Sequence, residues 1–137
     1  MLEQRTNNLP KVVVGGLIYQ NKKILICQRK EEGDHPLKWE FPGGKLKDAE
    51  NNQEALKREL KEELNIKVKI QEFLITTNYT YPDFKVKMHV YECKLISEKI
   101  TLNEHIGYEW SKIDELKDFK WLDADIQIID LLLNKYK

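Results

Sequence analysis

Residues 12–19 and 24–28 are two runs of mostly apolar, often β-branched residues, and the polar Gln20-Asn21-Lys22-Lys23 between them predicts a strand pair around a turn. Gly15-Gly16 interrupts the first run, which marks either a close backbone approach or a packing requirement. Residues 29–38 are polar, with the length of a functional lid, and lead into Trp39-Glu40-Phe41 and then Pro42-Gly43-Gly44. Asn51 is placed as an N-cap and Glu54 completes a capping box, so a helix is expected over 52–64. Leu56, Leu60 and Leu64 form its core stripe at i, i+4 spacing. Residues 68–81 and 84–95 read as long strands joined by a hairpin at Pro82-Asp83, and 124–134 as a closing helix burying Ile128, Ile129, Leu132 and Leu133. Such an order predicts an α/β fold, an α/β/α sandwich around a mixed β-sheet. With no repeat or linker, residues 1–137 are expected to form a single domain.

The central helix carries the candidate chemistry. Glu59, Glu62 and Glu63 fall at i, i+3 and i+4, within an arc of roughly 100°. Three carboxylates on one patch repel one another and call for a cation. Hard oxygen donors on a rigid face suit Mg²⁺, with Mn²⁺ as the alternative, ions that keep waters and accept phosphate oxygens. In a chain that is 34% charged, a Glu-rich face with Lys57, Arg58 and Lys61 is by composition a solvated salt-bridge surface. The Pro-Gly-Gly turn just upstream shifts that balance, because it lets bare backbone approach a ligand closely.

Composition narrows the partners. The formal net charge is +0 and the pI about 6.8, so nothing points to a nucleic-acid or membrane-surface binder. Cys27 and Cys93 lie in apolar runs without metal-type spacing and read as small core residues of a reducing compartment. His35, His89 and His105 are scattered and receive no catalytic role. The N-terminal residues lack a leader pattern and no run reaches the ~18 apolar residues of a membrane span, so a cytoplasmic location is expected.

From Gly44 the chain reads Gly, five residues, Glu50, seven residues, then Arg58-Glu59-Leu60-Lys61-Glu62-Glu63-Leu64-Asn65-Ile66. This resembles the signature of the Nudix hydrolases, departing once, at Asn65, where the family has Gly. The position is that of a left-handed residue just past a helix, for which Asn is next best after Gly. The resemblance implies the Nudix fold and, through the pieces around Trp39-Glu40-Phe41, Tyr81-Pro82-Asp83 and Trp121-Leu122-Asp123, the MutT type of nucleoside triphosphate pyrophosphohydrolase. Such an enzyme cleaves its substrate to monophosphate and pyrophosphate, with water attacking the β-phosphorus.

Residue by residue, the resemblance makes Glu59, Glu62 and Glu63 metal ligands, joined by the Gly43 carbonyl and by Glu104 as ligand or base. Glu104 reads equally well as a solvent-facing loop acid. Arg58 and Glu50 would orient the acidic cluster. Arg29, Phe41, Tyr81 and Asp125 correspond to the nucleobase end, though each also has a plain reading as core aromatic, surface cation or helix-start acid. In the guanine-oxidation specialists of the group Asn stands where this chain has Asp125. An ionised carboxylate only accepts, which suits an exocyclic amine and counts against strict 8-oxo-dGTP specificity. The expected function is nucleotide-pool sanitation by a monomer or weak homodimer, with 8-oxo-dGTP first. The alternatives are a CTP or 5-methyl-dCTP pyrophosphatase and a non-catalytic nucleotide-binding module.

Overall fold

The computed structural model describes residues 9–135, so the reading of the first eight residues lies outside it. Its central strand is β1 (Lys11–Gln20), which runs parallel to β6 (Lys85–Leu95) from Lys11 opposite Val86 to Tyr19 opposite Lys94. Two strands share the other edge of β1. Its end, Tyr19 and Gln20, pairs antiparallel with β2 (Lys23–Gln28), and Val13 to Gly15 pair antiparallel with β4 (Gly43–Lys45). The β1–β2 turn is tight because Asn21 and Lys22 both take left-handed φ values, 53° and 64°, as two-residue hairpins require.

Further along, β2 pairs with β3 (Trp39–Glu40) and with β7 (Gly107–Ser111). β5 (Val68–Thr80) lies outside β6, antiparallel, with register shifts on either side of Phe73. The sheet is therefore mixed, as expected. β7 is not an expected strand. Tyr108 and Glu109 are exposed within it, so its five residues carry little apolar pattern and their strand state comes from pairing with β2.

Two helices cover the two faces. α1 (Asn52–Leu64) seats Leu56, Leu60 and Leu64 against Val14, Ile18 and Leu25, with Cys27 and Cys93 buried and free beside them. Each fully buried leucine stabilises this layer by roughly 1.5–3 kcal/mol. On the opposite face, α2 (Ile126–Lys135) packs Ile128, Ile129 and Leu132 on Leu17, Ile24, Ile26 and Val90. Leu133 is only half-buried. The helix also starts later than its periodicity predicts, because Asp123–Asp125 form a separate 3-10 turn, and a further 3-10 turn spans Ile113–Asp118. Among the described residues no helix is long and apolar enough to cross a membrane.

Local signals set the ends of α1. The Asn51 side chain accepts from the Glu54 N–H at 2.8 Å while Glu54 accepts from the Asn51 N–H at 3.0 Å, the reciprocal capping box. At the other end Asn65 has φ 53° and ψ 40°, and its N–H returns to the carbonyls of Leu60 and Lys61. Replacing Asn65 with Ala should cost about 1 kcal/mol by urea unfolding, since a β-carbon is penalised in this conformation, whereas Asn65→Gly should stay within roughly half a kcal/mol of the parent. Equal losses in both variants would contradict this account of the helix end.

Candidate active site

The turn between β3 and α1 is built from close approaches. A β-carbon on Gly43, whose φ is 156°, would overlap the Val14 carbonyl oxygen, and one on Gly44 would overlap the Glu59 carboxylate. The absence of side chains lets β4 lie on β1 and lets Glu59 lean over it. The Gly16 N–H donates to the Pro42 carbonyl at 2.9 Å, and the Gly43 N–H donates to Glu63 Oε1 at 3.2 Å. At Gly15 the requirement is packing, since a β-carbon there would press on the Met88 side chain, whereas one on Gly16 would make only ordinary side-chain contacts.

Arg58 ties the acids of this helix together. Its Nε and one terminal nitrogen grip Glu50 at 2.6 and 3.0 Å, the latter nitrogen also donates to the Lys45 carbonyl, and the other reaches Glu59 at 2.9 Å and Glu62 at 3.2 Å. Five N–H donors thus meet five acceptors. The Arg58 guanidinium, helped by the Lys47 N–H, holds the Glu50 carboxyl down at about 2. Glu59 moves the other way, because burial outweighs the Arg58 contact and the charges of Glu62 and Glu104 add to the rise.

Glu63 faces a different environment. It is 6% exposed and lines a cleft of about 440 Å³ together with Gly43, Glu40, Glu104 and His105. Burial, then the charges of Glu40, Glu104 and Glu59, push its carboxyl up to about 9. Glu59 and Glu62 do not line the cleft, and among the described residues no three His, Cys, Asp or Glu side chains form a ready-made metal cage. The donor set nevertheless fits a hard divalent cation. All its groups are carboxylate or carbonyl oxygens, and the buried Glu63 carries a negative surround that a cation would relieve.

Glu40 and His105 lie in the cleft without having been singled out by sequence. Glu40 Oε1 accepts from Arg29 at 3.0 Å, and its Oε2 lies 2.8 Å from His105 Nε2. The available sequence signal was a lone acid between Trp39 and Phe41 immediately before the glycine turn.

The other end of the cleft gathers Arg29, Phe41, Tyr81 and Asp125. Phe41 is buried with its ring 4.8 Å from that of Trp121, and Tyr81 is buried with its hydroxyl accepting from the Ala124 N–H at 3.0 Å. The Arg29 guanidinium is engaged, donating to Glu40 and twice to the Asp34 carbonyl, so it straps the 29–38 segment. His35 of that segment stacks 4.9 Å from Tyr81. Asp125 is 2% exposed, and its Oδ2 accepts from the Phe41 N–H at 2.8 Å. Burial pushes its carboxyl up to about 8, against the opposing Phe41 contact and with help from Glu40. The sequence reading took Asp125 as ionised; burial makes it neutral below about pH 8.

Comparison with known proteins places residues 9–132 on the model of the NUDIX domain. The chain is 35% identical to an 8-oxo-dGTP diphosphatase of Buchnera aphidicola subsp. Schizaphis graminum, over 86% of this chain and 88% of that one. It is 28% identical to a CTP pyrophosphohydrolase of Escherichia coli, over 88% and 90% of the two. Among solved structures, a Nudix hydrolase from methicillin-resistant Staphylococcus aureus, described as the DNA mismatch repair protein MutT, is 39% identical. It aligns with a TM-score of 0.72 over 93% of this chain and 99% of its own.

The Asp125 carboxyl carries a pH signature. Its folded value is raised above the unfolded one of about 4, so the stability tied to its neutral form is complete below about pH 4 and is lost as pH rises through about 8. Asp125→Asn keeps an acceptor for the Phe41 N–H and cannot ionise. The urea midpoint should therefore fall less between about pH 5 and about pH 9 in this variant than in the parent, the slope owed to Glu63 being common to both. Identical slopes would contradict the burial argument.

Proposed function

The chain belongs to the NUDIX domain family, and from that premise we propose that it hydrolyses nucleoside triphosphates to nucleoside monophosphate and pyrophosphate, with oxidised purine nucleotides such as 8-oxo-dGTP as first substrate. The observation that carries the reading is the placement of Glu63. It is buried in the cleft, bound to the glycine turn and surrounded by Glu40, Glu59 and Glu104, with the aromatic end of the same cleft beyond.

Mg²⁺, or Mn²⁺ in its place, would be held by Glu59, Glu62 and Glu63 with the Gly43 carbonyl and Glu104. When bound, it supplies positive charge to the phosphate oxygens and acidifies water. Arg58, itself gripped by Glu50, keeps Glu59 and Glu62 in one orientation. One of the clustered carboxylates accepts the proton of the attacking water. At the far end Phe41 and Tyr81 give flat apolar walls to a base. Asp125, with Oδ2 taken by Phe41 and its carboxyl neutral below about pH 8, has an O–H to offer a base edge there and behaves as an amide would.

A second reading, a CTP or 5-methyl-dCTP pyrophosphatase, is favoured by the similarity to the CTP pyrophosphohydrolase and by the acceptor-only form that Asp125 takes at higher pH. A purely binding module is disfavoured because every acid of the motif is present and linked to Arg58 or the glycine turn.

Phosphorus-31 NMR of the products should show pyrophosphate and monophosphate, and nucleoside diphosphate with orthophosphate would defeat the reading. Single Gln substitutions at Glu59, Glu62 and Glu63 should each lower kcat while leaving the fold intact; unchanged kcat in all three would return the helix to a solvated salt-bridge face.

Specificity has its own test. At neutral pH Asp125→Asn should move the ratio of kcat/KM for 8-oxo-dGTP over CTP by less than about twofold, because neutral Asp and Asn present the same groups. Above about pH 8 the two should part by roughly five- to 150-fold, the 1–3 kcal/mol of base-edge discrimination, with the parent shifting toward CTP. A ratio that is independent of pH in the parent would remove Asp125 from base reading.

A further inference from the structure

Glu104 sits on an exposed loop that has no regular secondary structure, yet the segment around it is pinned at several points. The Thr101 N–H donates to the Leu64 carbonyl at 2.9 Å, the Asn103 N–H to the Glu63 carbonyl at 2.9 Å, and the Asn103 side-chain amide to the Glu62 carbonyl at 2.9 Å. These are free carbonyls at the C-terminal end of α1, so the loop is registered against the helical turn that bears the acids. On the other side of Glu104, the Ile106 N–H donates to the Gln28 carbonyl at 3.0 Å and His105 turns inward to Glu40 at 2.8 Å.

His105 is an expensive residue for its place. It is 7% exposed, and its Nδ1 has no partner among the described residues. With Nε2–H donating to the Glu40 carboxylate, that hydrogen bond is the ring's polar anchor among the described residues. A buried, half-satisfied imidazole is disfavoured relative to an apolar side chain of similar volume. Fold stability alone does not account for it. What the ring does is join the loop to Glu40, one residue before Phe41 and three before Gly43, in the segment that forms the floor of the cleft.

We propose that His105 and Asn103 are positioning residues that hold Glu104 between them, His105 fixing it to the floor of the cleft through Glu40 and Asn103 fixing it to the end of α1. This rests on the pyrophosphohydrolase reading, in which Glu104 belongs to the acidic end.

The test is a double-mutant cycle between His105→Leu and Glu104→Gln, read by kcat and KM on whichever of 8-oxo-dGTP and CTP the parent cleaves faster, and by EPR titration of Mn²⁺ without nucleotide. His105→Leu should lower kcat/KM roughly ten- to a hundredfold, mainly through kcat, and weaken Mn²⁺ binding as Glu104→Gln does. In the Glu104→Gln background the same change should cost less than about twofold. His105→Gln, whose amide N–H replaces Nε2–H, should recover activity to within about threefold of the parent. Equal losses in both backgrounds, an inert Glu104→Gln, or unaltered Mn²⁺ affinity in folded His105→Leu would each overturn the inference. Should His105→Leu not fold, Asn103→Ala, at an exposed position, enters the same cycle, where coupling to Glu104 supports the inference and additivity overturns it. An inactive parent enzyme would defeat the activity reading itself, whereas an additive cycle in an active one defeats only the positioning.

Discussion

The backbone of Gly43 and Gly44 lies closer to its neighbours than any side chain would allow, and the site is arranged around that approach. Gly43 presses on the Val14 carbonyl of β1 while its N–H binds Glu63, and Gly44 leaves room for the Glu59 carboxylate. Two residues earlier, the Phe41 N–H is bound by Asp125 from the turn that leads into α2. One short segment therefore contacts β1, α1 and the start of α2, and it brings the acidic end and the aromatic end of the cleft onto a common floor. Cores tolerate exchange of apolar residues of similar volume, but an overlap of backbone with backbone has no repacking remedy.

Electrostatics then divide the acids between two environments. Glu50, Glu59 and Glu62 share Arg58, whose contacts offset the repulsion along the helix. Among the described residues Glu63 has no such cation beside it; it accepts from the Gly43 N–H and has the charges of Glu40, Glu104 and Glu59 around it. Burial first, and then those charges, raise its carboxyl, while Arg58 lowers that of Glu50, within one motif. A polyanionic substrate approaching this end needs a counter-ion, which is the physical link between the acid cluster and divalent metal in the proposed reaction.

Local features of the fold were legible in the sequence. The capping box at Asn51 and Glu54, the Leu56-Leu60-Leu64 stripe, the left-handed Asn65 and the hairpin at Pro82-Asp83 all depend on residues within a few positions of one another. What escaped depends on distant partners. β7 is a strand because β2 lies beside it, the shifts around Phe73 have no Gly or Pro to announce them, and the first turn before α2 is 3-10 where periodicity predicts continuous helix. In the site, the acids of α1 and the aromatics could be named from spacing and resemblance. The neutral state of Asp125 could not, since it follows from burial and from a hydrogen bond spanning 84 residues. The Glu40–His105 contact spans 65 residues and was invisible for the same reason.

The most direct measurement of the central claim, that missing side chains at the glycine turn are what allow the carboxylates to assemble, is the steady-state activity of Gly44→Ala alongside its urea unfolding curve. The clash created is with the movable end of Glu59 and not with backbone. The variant should therefore remain folded, within roughly 1–2 kcal/mol of the parent, while kcat/KM falls about tenfold or more and matches the loss in Glu59→Gln. A folded Gly44→Ala enzyme with the parent's kcat/KM would contradict the account.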